Sequence, residues 1–299
     1  MNQRIIKSIV LWVLRKLIKQ PKYFLLVLLV VILWFLYNFL KPTATDVTAT
    51  TASSTTYLGL PQIVSGIASQ GDSHILQNEG YMLEYSETLA SPLWVTYYVG
   101  KKRFKIGKRP KFAVDMRSEV KISHGDYIRS GYTRGHLAPN YVIASRYGKE
   151  AQKEAFLMTN ISPQTALLNQ KSWQRLEEII ANDFSEWHDG FWVITGPIFN
   201  SSPQTLKKTK IAIPDAFYKI LIKPNKNSSS IMALAFIFKQ DAKPNASLMS
   251  FITSIDEVEK QSGIDFFSEL EDPIENILES KIMPKPWRLP EVATRPSRY

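Results

Sequence analysis

Tyr23 to Leu40, YFLLVLLVVILWFLYNFL, runs for 18 residues with one weakly polar side chain, Asn38, and no charge. As a helix it would span about 27 Å, close to the roughly 30 Å hydrocarbon core of a bilayer. Six basic residues precede it and no acid does. The positive-inside rule then leaves 1–22 in the cytoplasm and sends the bulk of the chain across. Tyr23, Trp34 and Tyr37 suit the two interfaces. A cleaved signal peptide is the alternative, and it would need unusually long basic and apolar regions. The expectation is an uncleaved signal anchor in the inner (cytoplasmic) membrane, with the rest on the extracytoplasmic, periplasmic side. A mitochondrial inner membrane is the second choice. Ile5 to Ile18, IIKSIVLWVLRKLI, is basic and amphipathic and suits the inner membrane surface.

Residues 41–56, KPTATDVTATTASSTT, have no apolar face to bury and read as a linker. The expected organisation is therefore 1–22 cytoplasmic segment, 23–40 transmembrane anchor, 41–56 linker and 57–299 one globular domain. The net charge of +10 misleads, because seven basic residues and one acid fall in 1–56, leaving only +4 on 57–299. A polyanionic partner is allowed by that figure and not demanded by it. There is no cysteine, which excludes disulfides and thiolate metal sites.

Short runs rich in aromatic and β-branched residues predict strands at GYMLEY (80–85), LWVTYYV (93–99), FLMTNISP (156–163), FWVITGPIF (191–199), AFYKILIK (216–223) and IMALAFIF (231–238). The last four are apolar enough to be buried and central. Trp173, Leu176, Ile180 and Phe184 recur at steps of three and four, predicting a helix over 169–184. A second helix is predicted over 247–261, with Leu248, Phe251, Ile252, Ile255 and Val258 inward and Gly263 as its stop. Strands followed by long helices give an α+β or mixed α/β sheet with helices packed on it.

SGYTRGHLAPN, 130–140, packs one imidazole, one guanidinium, two glycines and a proline into eleven residues. A lone histidine is more often a core residue than a reactive one. Here Arg134 stands two residues from His136, and Gly135 between them permits close backbone approach. Thirty-three residues after His136 stands Asn169, at the start of the predicted helix, with Glu177 two turns on. Imidazole, amide oxygen, carboxylate and guanidinium are the parts of metal-assisted phosphodiester hydrolysis. The imidazole takes a proton from water. A hard cation such as Mg²⁺ needs one or two protein oxygens. The arginine neutralises charge on the phosphate. Each part has a plainer reading: Asn169 as a helix N-cap, Glu177 as a solvated helix residue.

Five blocks then resemble one family in order: RGHLAPN, TNISPQTALLNQKSWQRLEE, VITGPIF, IPDAFYKIL and SIDEVEKQSGIDFFSEL. They are similar to the DNA/RNA non-specific endonucleases, the endonuclease G-like group of the ββα-metal nuclease superfamily, from about Tyr81 to Leu270. The resemblance implies a ββα-metal fold, a mostly antiparallel central sheet flanked by helices. It implies a Mg²⁺-dependent endonuclease (Mn²⁺ or another divalent cation serving too) acting on both DNA and RNA. By position it implies His136 as general base and Asn169 as the single protein metal ligand. Asn160 supports the histidine and phosphate geometry, Glu177 orients the water around the metal, and Arg134 is the motif arginine. The partners implied are DNA and RNA, with the membrane for the N-terminal helix and a homodimer as an allowed assembly.

Two positions depart from the family pattern. Thr133 stands where the family has Asp before the arginine, which bears on metal affinity more than on the base. Ala181 stands where some members carry an arginine one turn after the acid. KKRFKIGKRPK, 101–111, has seven basic residues in eleven and can supply phosphate contacts through Arg109, Arg103 and Lys105, or be a solvated hairpin. His74 is expected in a polar turn, His188 in a turn before a strand, and His124 without a required role. The alternative function is a catalytically silent nuclease fold, a membrane-tethered binding or scaffold module, and Thr133 keeps that reading open.

Overall fold

The computed structural model of the protein describes residues 55–224 and 231–298. The apolar run, the basic segment before it and residues 41–54 of the linker lie outside the described residues. Thr55 and Thr56, expected at the end of the linker, are buried. The Thr55 carbonyl accepts a hydrogen bond from Thr96 Oγ1 at 2.7 Å.

Seven strands form one antiparallel sheet. In chain order they are β2 Ser73–Asn78, β3 Tyr81–Ser86, β4 Ser91–Val99, β7 Phe191–Ile198, β8 Ala216–Pro224, β9 Ile231–Lys239 and β10 Ile252–Thr253, in the spatial order β10-β9-β8-β7-β4-β3-β2. β7 and β8 are central and almost wholly buried, as their continuous apolar runs predict. Two small sheets stand apart: β1 Gln62–Ile63 with β11 Ile264–Asp265, and β5 Thr133–His136 with β6 Ile161–Gln164. The fold is α+β, a central antiparallel sheet with helices on it.

The strand expected over 156–163 is only half a strand. Met158–Asn160 make a 3-10 turn, and β6 begins at Ile161. The cause is Asn160, whose buried amide bonds the backbone on two sides and bends the chain there. The helix expected over 169–184 is present and longer. A π-helical stretch Leu168–Trp173, an α-helix Gln174–Ile179, a second π-helical stretch Ile180–Phe184 and a last turn Ser185–Trp187 follow one another. Trp173, Leu176, Ile180 and Phe184 are all fully buried on its sheet side. Asn169 is not the N-cap: Thr165 takes that place, its Oγ1 accepting from the Leu168 N–H at 3.3 Å.

The helix expected over 247–261 is broken in two. A 3-10 turn Leu248–Phe251 leads into β10, which closes the sheet edge against β9. The helix proper is Ile255–Ser262, capped by Ser254, whose side chain accepts from the Glu257 N–H. Gly263 ends it as expected, with φ +72°, and a Cβ there would lie 2.3 Å from the Ser65 carbonyl oxygen. Helices Asn140–Tyr147 and Lys149–Glu154 complete the set that concerns the sites.

Side chains of β8 alternate between faces. Phe217 and Lys219 meet Trp173 of the long helix, while Tyr218 packs on Phe266 at 5.5 Å. The long helix therefore covers one face. The Ile255–Ser262 helix and the β1–β11 pair cover the other.

Candidate active site

β5 and β6 form an antiparallel pair, and the long helix follows directly on β6, so the three make a ββα unit. The pairing sets His136 opposite Ile161 and Thr133 opposite Gln164. Gly135 is where the backbone must come close: a Cβ there would lie 2.1 Å from Gln164 Oε1. The glycine thus lets the Gln164 side chain pack beneath the motif.

Two adjoining clefts open on this unit, and Arg109, His136, Asn169 and Gln174 line both. Arg134 and Thr133 line one, Glu177 the other. His136 and Asn169, 33 residues apart in the chain, thus face one space.

His136 is part-buried. Its ring meets Phe156 edge-on at 4.8 Å and Phe112 at 5.5 Å, and its Nε2 is enclosed with no hydrogen-bond partner. Burial, with the Arg109 charge second, lowers its pKa to about 3. The ring is therefore neutral near neutral pH, with a lone pair free.

Asn160 works from behind. It is fully buried, its Oδ1 accepting from the Ala138 N–H at 2.9 Å and its Nδ2 donating to the Ala138 and Ala155 carbonyls at 3.0 and 2.9 Å. It clamps the chain two residues past His136. This corrects the expected support of phosphate geometry: an enclosed amide with these partners has no path to a phosphate, and its support goes to the histidine loop alone.

Asn169 Nδ2 donates to Thr133 Oγ1 at 2.8 Å, and Thr133 Oγ1 donates to the Gln164 carbonyl at 2.8 Å. The hydroxyl accepts one hydrogen bond and makes one, so the Asn169 amide is oriented with Nδ2 inward and Oδ1 left for a cation. Asn169 also lies in the π-helical stretch, where the wider turn displaces side chains from α-helical positions.

Glu177 is not a solvated helix residue. Its Oε1 is buried without a hydrogen-bond partner and lies 3.9 Å from Lys219 Nζ. Lys219 is fully buried on β8, its Nζ 4.3 Å from the Trp173 ring centroid and donating to Thr195 Oγ1 at 3.3 Å. Burial raises the Glu177 pKa and Lys219 opposes it; burial lowers the Lys219 pKa and Glu177 opposes that. The pair sits between sheet and cleft, one charge facing each. Sequence reasoning missed Lys219, although a lone charge inside AFYKILIK is the signal that marks it.

Of the basic run, only Arg109 reaches the clefts, its guanidinium 5.2 Å from the Phe156 ring centroid and 5.8 Å from that of Phe112. Arg134 lies 5.4 Å from the Phe112 centroid. Phe112 thus carries two cations beside the histidine. Arg103 and Lys105 are exposed and line neither cleft. The run is not a hairpin: it is irregular, with the Arg103 and Phe104 N–H groups tied to the Ser145 carbonyl. Ala181 is buried and its carbonyl accepts from Arg146 Nη2 at 2.6 Å, so no side chain from 181 faces the cleft. Arg298, near the C-terminus, lines it and carried no motif.

The other histidines stay outside. His74 lies in β2, opposite Tyr85 and 3.7 Å from Glu87 Oε1, not in a turn. His188 follows the long helix and packs on Trp287 at 4.8 Å. His124 stacks on Phe112 at 6.0 Å, and its carbonyl accepts from Arg134 Nη1 at 3.4 Å.

The residues fit a hydrated hard cation: one oriented amide oxygen, a cleft-lining carboxylate and no thiolate.

The chain is 30% identical to a zebrafish (Danio rerio) mitochondrial nuclease EXOG over 236 residues, 71% of this chain and 64% of that protein. It thus spans less than two thirds of that relative's length. It is 28% identical to a nuclease of Serratia marcescens over 258 residues, 82% of this chain and 92% of that one. It is 25% identical to human mitochondrial endonuclease G over 66% of this chain and 70% of that one. The fold is similar to that in the crystal structure of the EndoG/EndoGI complex, with a TM-score of 0.62 and 21% identity over 68% of this chain and 89% of that one. The family model for DNA/RNA non-specific endonucleases matches residues 61–273, a span that contains His136, Asn160, Asn169 and Glu177, and the chain belongs to that family.

Proposed function

We propose that this chain is a membrane-anchored, divalent-cation-dependent endonuclease that hydrolyses DNA and RNA without regard to the sugar. The observation that carries the reading is the convergence of a neutral His136, an oriented Asn169 amide and the Glu177 carboxylate on clefts flanked by Arg109 and Arg134. A silent scaffold needs none of these to meet.

Arg134 and Arg109 bind and orient the scissile phosphate. A phosphate on Arg109 cancels the repulsion that this guanidinium exerts on a protonated His136, so the imidazole's proton affinity rises as substrate binds. His136 then takes a proton from the attacking water. The water oxygen bonds to phosphorus, the bond from phosphorus to the 3′ oxygen breaks, and the leaving oxygen takes a proton from solvent, giving 5′-phosphate and 3′-hydroxyl ends. Asn169 would hold the divalent cation, Mg²⁺ by choice, with Glu177 orienting the water around it; when bound the cation supplies Lewis-acid stabilisation of the leaving oxygen. Lys219 holds Glu177 from beneath.

The membrane part of the reading is supported by the apolar run Tyr23 to Leu40 and the six basic residues before it. One experiment tests both parts. Spheroplasts expressing the full chain should nick plasmid added outside them, and EDTA should abolish it. Nicking only after lysis would overturn the orientation, and nicking untouched by EDTA would overturn the metal.

Thr133 gives a second expected outcome. Thr133→Ala frees the Asn169 amide to rotate, and loss of such a ligand-orienting partner costs about 10–100-fold in metal affinity or activity. The Mg²⁺ midpoint of nicking should rise accordingly, while Thr133→Ser stays near wild type. An unmoved midpoint in Thr133→Ala would refute the orienting role.

A further inference from the structure

The cleft that holds His136 and Asn169 continues past them to Tyr141, Asn182 and Arg298. Tyr141 is the second residue of the Asn140–Tyr147 helix, and Val142, Ile143 and Ala144 after it are buried. Tyr141 itself is 41% exposed, and it is the one Tyr, Phe or Trp among the described residues that line this cleft. Its hydroxyl donates to Asn182 Oδ1 at 3.3 Å. The same oxygen accepts from Lys102 Nζ at 2.8 Å, and that ammonium lies over the Tyr141 ring, 5.5 Å from its centroid. Asn182 is fixed in turn, its Nδ2 donating to the Glu178 carbonyl at 2.9 Å. Three separate segments thus hold one exposed ring at the rim of the catalytic cleft.

The charge beyond the ring suits a phosphodiester strand. Lys101 and Lys102 line an adjoining depression that shares Asn182 with the cleft. Acids stand there too, Glu186 and Asp189, and Lys101 lies 3.6 Å from Asp189. Lys102 forms no ion pair among the described residues, its hydrogen-bond partner being the neutral Asn182 amide. Lys102 is therefore the cation left to meet a phosphate on that side. We infer that Tyr141 is a base-stacking subsite: a nucleobase next to the scissile phosphate lies on the Tyr141 ring, and Lys102 takes the phosphate beyond it.

This subsite rests on the phosphodiester-hydrolase reading and adds to it how the strand is gripped. Every base has a π face, so stacking is blind to base identity. It also leaves the 2′ position of the sugar untouched, which suits an enzyme acting on DNA and RNA alike. A base in a duplex is already paired and stacked, so it reaches the ring only after leaving that stack.

The test measures binding by fluorescence anisotropy on the full chain in detergent, with EDTA present so that no strand is cut. The probes are two labelled single-stranded octamers, oligothymidylate and its abasic counterpart, which carry the same phosphates and differ only in the bases. Wild type should bind the thymidylate octamer more tightly by about 5–100-fold, the worth of one stacked base. Tyr141→Ala should lose most of that difference while binding the abasic octamer as wild type does. Tyr141→Phe, which retains the ring, should keep the difference. Lys102→Ala should weaken both octamers by a similar factor, as loss of a phosphate contact does. Equal affinity of wild type for the two octamers, or an undiminished difference in Tyr141→Ala, overturns the subsite. So does a Tyr141→Phe variant that behaves like Tyr141→Ala, because the hydroxyl and not the ring would then be what binds. Plasmid nicking in Mg²⁺ by the same wild-type preparation keeps the two readings apart. An inactive protein that still prefers thymidylate sinks the enzyme and upholds the subsite, whereas an active one indifferent to the bases sinks the subsite alone.

Discussion

His136→Ala should lose about 10²–10⁴-fold in turnover, the worth of a positioned general base, while the fold and nucleic-acid affinity persist. The fold persists because the ring is part-buried at the cleft wall, against Phe112 and Phe156, rather than in the main core. Affinity persists because Arg109 and Arg134 remain. Added Mg²⁺ should not restore this variant, since Asn169 and Glu177 are intact and metal is not what it lacks. Imidazole, small enough to enter the vacated space between the two phenylalanines, should restore part of the rate. Asn169→Ala should behave oppositely, regaining activity with excess metal and ignoring imidazole. Plasmid nicking in a two-way titration reads both. Wild-type rates in His136→Ala at neutral pH would make TRGHLAPN a structural loop and overturn His136 as the general base.

Lys219→Met should destabilise the protein by about 3–5 kcal/mol, because it leaves Glu177 as an unpaired charge against the core. For a domain of this size that is a fall of about 10 °C in unfolding temperature. The Glu177 side chain keeps 18% of its surface, so water takes up part of the charge and the lower end of that range applies. Activity should fall too, as Glu177 becomes protonated or moves. The double variant Lys219→Met with Glu177→Gln should recover most of the stability and none of the activity, since it removes both charges and the functional carboxylate together. Thermal unfolding and nicking on the same samples separate the two effects. If the single and double variants unfold alike, the two charges are not coupled.

Much of the architecture was legible because apolar runs announce buried strands directly. FWVITGPIF, AFYKILIK and IMALAFIF became β7, β8 and β9 within a residue or two. The helix stripe from Trp173 to Phe184 was equally plain. The failures fall where a side chain or a sheet edge overrules the local pattern. Asn160 bends a run that reads as strand, and pairing with β9 pulls Ile252 and Thr253 out of a run that reads as helix.

The candidate site divides in the same way. RGH, the NQxxW block and the acid eight residues on mark the chemistry by residue type and spacing, and Gly135 marks a close approach without saying to what. Those are properties of the chain itself: which groups exist, how far apart, and which segments must be buried. Only the tertiary structure decided that Thr133 orients Asn169, that Arg109 alone of its basic run reaches the histidine, and that Asn160 faces inward. It alone brought Lys219 of β8 beneath Glu177 of the long helix, and Lys102 and Asn182 beside Tyr141. Local pattern records each residue's preference for water or core, whereas contacts between residues tens of positions apart depend on how helix and sheet faces pack, which no short stretch of sequence encodes.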